Sequence, residues 1–432
     1  MIETKGNPNY SAVVVKLPKP RSHTNADRLL CWSIFGNNVI TDLTSNEGEL
    51  RVFFPIESKI SSRILSEGNM FSDATLNADK ATKGYFPSSG RVKALKFRGE
   101  RSEGFLLPLA ALSMLGDVSK LKEGDTFDTL DDNTVCEKYE VPRTARESSN
   151  QAKSKAKQEA SRLVDGQFRF HIDTPQLRRN IDKIKPSDII AITSKLHGTS
   201  AVFSNILTKT RLSWIDKLKH KLGFRVETEK YDYIYSSRKV IKNDRTKLDN
   251  SFYKVDIWKL AFNNIKDCIP QGVTLYCEIV GYLPDGGYIQ KGYDYGVSQG
   301  KHKTYVYRGT YTTPDGHVIE FSTLQLKEFC ATHGLNMVPL LWYGQAQYLL
   351  PSEFIWQEQT LEGLLTMNYL EKDCEYCSNK VPAEGIVVRK ENVGIGDIEV
   401  YKHKSFRFLE YETKMLDEGL ADIETEESSG NE

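Results

Sequence analysis

A single carboxylate interrupts an otherwise apolar run, Leu275-Tyr276-Cys277-Glu278-Ile279-Val280-Gly281. Runs of this kind, closed by a glycine, fold as strands covered on both faces. Glutamate is almost never buried without a partner, so the fold must bring a cation or a hydrogen-bond donor to Glu278. A buried ion pair would satisfy that demand, and so would a ligand site. The pattern recurs at Glu384-Gly385-Ile386-Val387-Val388-Arg389, where a carboxylate and a glycine precede a β-branched strand. Lysines stand at two other places. Lys195-Leu196-His197-Gly198 follows the apolar strand Asp188–Ile192, so an amine sits where the chain leaves the core. Partial desolvation there lowers an amine's pKa and makes it a usable nucleophile. In Tyr401-Lys402-His403-Lys404 two lysines are two positions apart and share one face of a strand. Adjacent ammonium groups repel unless an anion lies between them, and phosphate is the natural one. Each feature alone also fits a structural or solvated role. Together they make a nucleotide-handling set. The glycine-rich stretch 281–292 is not followed by Lys-Ser or Lys-Thr, so phosphate binding would rest on side chains rather than a P-loop.

At 432 residues the chain exceeds what one core usually fills, and two domains are expected. Short strand-like runs crowd the first part: Ser11–Leu17, Leu29–Ile34, Leu50–Pro55, Val92–Phe97 and Gly104–Pro108. The last two flank Arg98-Gly99-Glu100-Arg101, a hairpin-like connection. This density suggests a small barrel or sandwich over residues 1–143. Thr144–Ala160 holds almost no large apolar residue and opens a charged linker, 144–166. From 167 to 412 the reading is a second domain. It opens with strand-like Phe168–Ile172 and a helix at Pro175–Ile184. Further strands are expected at Tyr231–Ser236, Val273–Gly281, Lys303–Tyr311, Glu384–Lys390 and Glu399–Phe408. Helices are expected at Tyr253–Ile265 and Thr323–His333. Residues 413–432 form an acidic tail that frays from a helix.

The start, MIETKGNPNY, has neither a basic region nor an apolar run, and no stretch is long enough to span a bilayer. Seven scattered cysteines fit reduced thiols, so an intracellular, cytoplasmic setting without a membrane partner is expected. Cys374 and Cys377 form a CxxC without a second ligand pair, and His333 and His403 lack positional partners, so no structural zinc is expected. The 58 Lys+Arg against 58 Asp+Glu give a net charge of zero, which would argue against a nucleic-acid partner. The distribution says otherwise. Ile206–Lys254 holds 13 basic and 6 acidic residues, whereas Glu410–Glu432 holds 9 acidic residues and one lysine. A neutral chain can thus present a basic face while an acidic tail balances the sum.

In this order, Lys-x-His-Gly, Glu-x-x-Gly, Glu-Gly-Ile-Val-Val-Arg and Lys-x-Lys, the motifs resemble those of the covalent nucleotidyltransferases, which include ATP-dependent polynucleotide ligases and capping guanylyltransferases. Lys195-Leu196-His197-Gly198-Thr199-Ser200 looks like the RNA ligase branch typified by the Naegleria and Deinococcus enzymes. The resemblance implies an α+β fold: an N-terminal OB-type β-barrel, then a nucleotidyltransferase domain of antiparallel sheets flanked by helices. It implies an ATP-dependent RNA ligase, acting as a monomer on nicked or broken RNA in RNA repair, with Mg²⁺ or Mn²⁺. Lys195 would become lysyl-AMP. Arg238 would serve the RNA 5′-phosphate, Glu278 the ribose, and Tyr307, in preference to Tyr305, the adenine. Glu384 would orient the metal's water shell, and Lys402 and Lys404 would act on the α-phosphate and its leaving group. Triphosphate contacts are sought among Arg169, Arg178 and Arg179. An OB-type domain would also offer Arg91, Lys93, Lys96, Arg98 and Arg101 to RNA. A DNA ligase, a capping enzyme or a non-catalytic nucleic-acid-binding relative are the competing readings. The interval 204–230 is longer than the motifs need, and its role is open.

Overall fold

The computed structural model describes residues 1–141, 162–210, 212–242, 255–350, 357–391 and 398–420. Most of the expected linker and the end of the acidic tail lie outside these residues. The fold mixes helices with antiparallel sheets. No helix among the described residues is long and apolar enough to cross a membrane. All seven cysteines are free thiols.

In the N-terminal part, β1 (Ala12–Lys16), β2 (Leu30–Ile34), β3 (Asn37–Thr41) and β4 (Leu50–Phe54) arise from the expected runs. Then come β5 (Leu95–Phe97), β6 (Glu100–Ser102), β7 (Phe105–Pro108) and β8 (Thr126–Phe127). One sheet has the order β7-β4-β1-β8, another joins Arg21–Ser22, β2 and β3, and β5 pairs with β6. Among the described residues the strands divide between separate sheets, and no barrel closes. The expected hairpin is shorter than the sequence suggests. Arg98 and Gly99, at φ 45° and 96°, turn the chain from β5 into β6, and Phe105–Pro108 instead pairs with β4. Two left-handed residues suit the tight turn that matches strand twist.

The second part contains two larger sheets. The smaller has the order β14-β9-β15-β16, from Leu340–Gln345, Ile189–Lys195, Gly385–Lys390 and Glu399–Lys404. The larger runs Ile241–Lys242, β11 (Glu229–Ser237), β10 (Thr199–Lys209), β12 (Val273–Gly281), β13 (His302–Thr312) and Val318–Glu320. All nine residues of β12 are buried, as its apolar run requires of a strand flanked on both edges. Helices α2 (Ile257–Ile265) and α3 (Thr323–Thr332) cover this sheet, packing Trp258, Ala261, Phe262, Leu326 and Cys330 onto Phe203, Leu275 and Cys277. Helix α1 (Trp214–Lys221) lies in the long interval between β10 and β11. The smaller sheet packs Ile190, Ile192, Ile386 and Val388 against α4 (Glu358–Tyr369) through Leu361 and Leu365.

Two expected elements are absent. Phe168–Ile172 is not a strand, and Pro175–Ile184 forms 3-10 turns at Leu177–Arg179 and Ile181–Lys183 rather than one helix. Asn180, at φ −134°, breaks the helical path, and Leu177 and Ile184 still reach the core. The strand expected over Glu399–Phe408 stops at Lys404, because Ser405 caps α5 (Phe406–Asp417) by accepting the Phe408 N–H.

Helix α5 changes the reading of the N-terminal cations. Arg91 and Lys93 both hold Asp417, at 2.6 and 2.8 Å, and Lys96 holds Glu410 at 2.9 Å. Arg101 pairs with Glu371 at 3.4 Å, while Arg98 is consumed by the turn. Four of the five candidates for RNA therefore neutralise acids within the chain. Part of the acidic tail is a latch that ties α5 to the N-terminal part.

Candidate active site

Lys195 ends β9, and Thr199 begins β10, so the Lys-Leu-His-Gly turn joins the two larger sheets. Register does the rest. Lys195 lies opposite Gly385 on β15, and Gly385 lies opposite Lys404 on β16. One step along, Thr193, Val387 and Lys402 form the next row. With a side-chain period of two, the three lysines share one face. That face forms one wall of a cavity of about 260 Å³.

The turn is held from several sides. Glu278, across from Ser200, accepts the Gly198 N–H at 2.9 Å, which is one donor its burial required. Gln290 donates to the Gly198 carbonyl at 2.8 Å, and the His197 N–H donates to the Tyr295 hydroxyl at 2.6 Å. The His197 ring meets Tyr293 and Phe408 edge-on, each at 4.9 Å. Only glycine fits at residue 198: an added Cβ would lie 2.3 Å from the Ile279 carbonyl oxygen. At Gly385, φ is +151° and a Cβ would lie 2.1 Å from the His403 oxygen, so a side chain there would push β16 and its lysines away.

Lys195 Nζ stands 2.7 Å from Glu384 Oε1. The other oxygen, Oε2, is buried without a hydrogen-bond partner and faces His197 Nδ1 at 4.0 Å. An orphaned buried carboxylate oxygen is a natural acceptor for a metal-bound water. Among the described residues no group of three or more His, Cys, Asp or Glu could hold a metal. The donor set therefore fits a hard ion that keeps most of its water and takes its remaining ligands from phosphate, and it does not fit a closed protein cage.

Lys404 and Lys402 differ in their compensation. Lys404 bonds to Glu412 of α5 at 3.1 Å and to Glu57 of the N-terminal part at 3.5 Å. Burial alone would lower its pKa, but these carboxylates hold it well above the ordinary lysine range. Glu57 is correspondingly held low by Lys404, against its own burial. No carboxylate among the described residues lies within ion-pairing distance of the Lys402 ammonium. Burial first, then repulsion from Lys404 and Lys195, pulls Lys402 down to about 8. It is charged below that pH and neutral above, so anion affinity should fall as pH rises through about 8. In a Lys195→Arg background, which blocks chemistry, ATP affinity should drop roughly tenfold between pH 7.5 and 9.5. Lys402→Arg stays charged and should flatten that profile in calorimetric titrations; an unchanged slope would rule Lys402 out.

The register of β12 and β13 shifts at Tyr276 and Cys277, opposite Arg308 and Val306, which leaves Tyr307 as the extra residue of a bulge. Bulges re-aim side chains next to sites. Tyr307 lines the cavity and bonds to His171 Nδ1 at 2.9 Å and Ser200 Oγ at 3.3 Å. Tyr305 packs against the same cluster behind the turn as Tyr307 does, but it does not line the cavity. Arg238 also lines the cavity, in an ion pair with Asp173.

The arginines sought for triphosphate are elsewhere. Arg178 is buried between Glu103 and Glu362, at 2.8 Å from each. Arg179 donates to the backbone oxygens of Pro8 and Ser11, and Arg169 is exposed and does not line the cavity. The first two answer buried carboxylate and carbonyl oxygens at the junction with the N-terminal part, so their charge is spent there. Sequence reasoning missed Tyr10, Glu57, Lys138, His171 and Asp173, all of which line the cavity. For His171 and Asp173 the signal was a polar pair just ahead of the lysine turn. For Glu57, 347 positions from Lys404, there was none. Cys374 and Cys377 sit on a turn packed behind Leu196 and Tyr295.

Comparison with protein-family models matches residues 188–404, half of the chain, to the family described as RNA ligase. Among solved structures the chain is similar to Naegleria gruberi RNA ligase. A mutant of that enzyme with ATP and Mn aligns at a TM-score of 0.56 and 13% identity, covering 94% of this chain and 99% of that one. A second mutant, with AMP and Mn, aligns at 0.58 and 14%, covering 93% and 98%. The same enzyme with PPi aligns at 0.57 and 14%, with the same coverage. At such identities the likeness speaks for the fold. A search of curated protein sequences finds no match.

Proposed function

This chain belongs to the RNA ligase family, and from that premise we propose that it joins RNA 3′-OH and 5′-phosphate ends with ATP, through lysyl-AMP and an adenylated RNA end, in RNA repair. The observation that carries the reading is the row of Lys195, Gly385 and Lys404 across three strands, with Lys402 facing the same cavity.

Lys195 Nζ, as the free amine, attacks the α-phosphorus of ATP. The N–P bond forms as the bond to pyrophosphate breaks, and Glu384, at 2.7 Å, orients the amine and can take its proton. Phosphoryl transfer is chiefly positioning and charge stabilisation. Lys402 supplies the cation beside the α-phosphate, while Lys404, kept protonated by Glu57 and Glu412, faces the departing pyrophosphate. Tyr307 stacks on adenine and Glu278 holds the ribose. The RNA 5′-phosphate then displaces Lys195 from AMP, with Arg238 exchanging Asp173 for that phosphate. Finally the 3′-OH attacks the adenylated end and AMP leaves. Mg²⁺ or Mn²⁺, when bound through water beside Glu384, would neutralise charge on the triphosphate and favour the free amine of Lys195.

The proposed organisation is an OB-type unit at 1–143, a linker at 144–166, a catalytic domain at 167–412 and an acidic segment at 413–432. Short antiparallel strands packed on two apolar clusters support the OB-type reading. One chain carries every proposed site residue, which supports a monomer, and free thiols support an intracellular setting. The test is incubation with α-labelled ATP and no nucleic acid. A labelled protein band with ATP and none with GTP is expected, followed by sealing of nicked RNA in preference to nicked DNA. Labelling by GTP would favour a capping enzyme, and preference for DNA ends a DNA ligase.

A further inference from the structure

The interval whose role the motifs leave open holds α1, an eight-residue helix with none of its residues buried. Its start is secured by a capping box: the Ser213 hydroxyl accepts the Asp216 N–H, and the Asp216 carboxylate accepts from Ser213 in return. At the helical repeat, Trp214, Ile215, Leu218 and Leu222 fall on one arc, and Lys217, Lys219, His220 and Lys221 on the other. Trp214 is 75% exposed, Leu222 65% and Leu218 49%, and Phe224 just beyond the helix is 64% exposed. An apolar arc left open to water calls for something to cover it.

Charge selects the occupant. Lys217, Lys219 and Lys221 share the helix with the arc, Arg225 follows it in the chain, and the acid within the helix, Asp216, is engaged by the cap. A nucleic acid would neutralise the lysines but leave Ile215, Leu218 and Leu222 in water. A bilayer surface rich in anionic headgroups satisfies both faces, with tryptophan and phenylalanine at the boundary and lysines at the phosphates. β10 begins beside the lysine turn at Thr199 and runs for eleven residues to Lys209, a span of roughly 33 Å. A surface at α1 therefore leaves the cavity accessible.

We propose that α1 is an interfacial helix that docks the protein on anionic membrane surfaces, with the Trp214–Leu218–Leu222 arc among the acyl chains. The full chain should cosediment with phosphatidylcholine vesicles containing about one-third phosphatidylserine, at least tenfold more than with phosphatidylcholine alone. A Trp214→Glu, Leu218→Glu double variant should lose roughly tenfold of that binding while its labelling by ATP is unchanged, which shows that it has folded. Equal and weak binding of the parent protein to both vesicles overturns the proposal, as does unchanged vesicle binding by the variant. If the variant instead loses affinity for nicked RNA and vesicle binding is absent, α1 belongs to an RNA surface and the proposal fails.

Discussion

Lys195→Ala should leave no protein band labelled by α-labelled ATP, a fall of roughly four orders of magnitude or more in adenylation rate. The expectation follows from position. Lys195 is the cavity lysine at the junction of the two larger sheets, and the turn beside it is fixed by Glu278, Gln290 and Tyr295. An amine held in one place can meet the α-phosphorus in line; a mobile one cannot. Alanine also strands Glu384, whose second oxygen already lacks a hydrogen-bond partner, so some loss of stability, about 1–3 kcal/mol, accompanies it. Lys195→Arg separates the two effects. It keeps a cation beside Glu384, and thus the thermal midpoint, but is not nucleophilic at neutral pH. A labelled band from either variant would mean that another side chain carries the nucleotide.

Glu384→Ala should reduce both self-adenylation and sealing by roughly a hundredfold or more, and tenfold more Mn²⁺ should not restore them. Two effects oppose each other here. Removing the carboxylate 2.7 Å from Lys195 takes away an anion that favours the ammonium over the free amine. That gain ends once the amine is wholly neutral. Loss of orientation, and of the acceptor for metal-bound water, has no such ceiling, so the loss wins. Glu384→Gln, which keeps the shape but not the charge, should fall between. Normal ligation by Glu384→Ala would refute its role.

How much of this was legible beforehand depended on range. β12 could be read almost to the residue, because an apolar run with one carboxylate admits few other folds. The periodicity at Pro175–Ile184 comes from two inward residues, Leu177 on the first 3-10 turn and Ile184 just after the second, rather than from one helix. Arg178 and Arg179 looked like phosphate ligands because basic residues ahead of the lysine turn carry no mark of what they face. In the folded chain they meet Glu103, Glu362 and the carbonyls of Pro8 and Ser11. The same holds for Arg91, Lys93 and Lys96, whose acids lie more than 300 positions away on α5, and for Arg101, which meets Glu371.

The sequence by itself determined the chemistry on offer. A lysine at the end of a buried strand, two carboxylates opening or interrupting apolar runs, and a lysine pair on one strand face are local facts, set by burial and by the two-residue period of a strand. Tertiary structure alone decided which charge is spent and which is left to act. Strand register placed Lys195 and Lys404 in one row, and α5 with the N-terminal part brought Glu412 and Glu57 to Lys404, while among the described residues Lys402 has no ion-paired carboxylate. The physical reason is that electrostatic compensation depends on distance in space, and the partners that cancel a charge are set by long-range packing that no local pattern records.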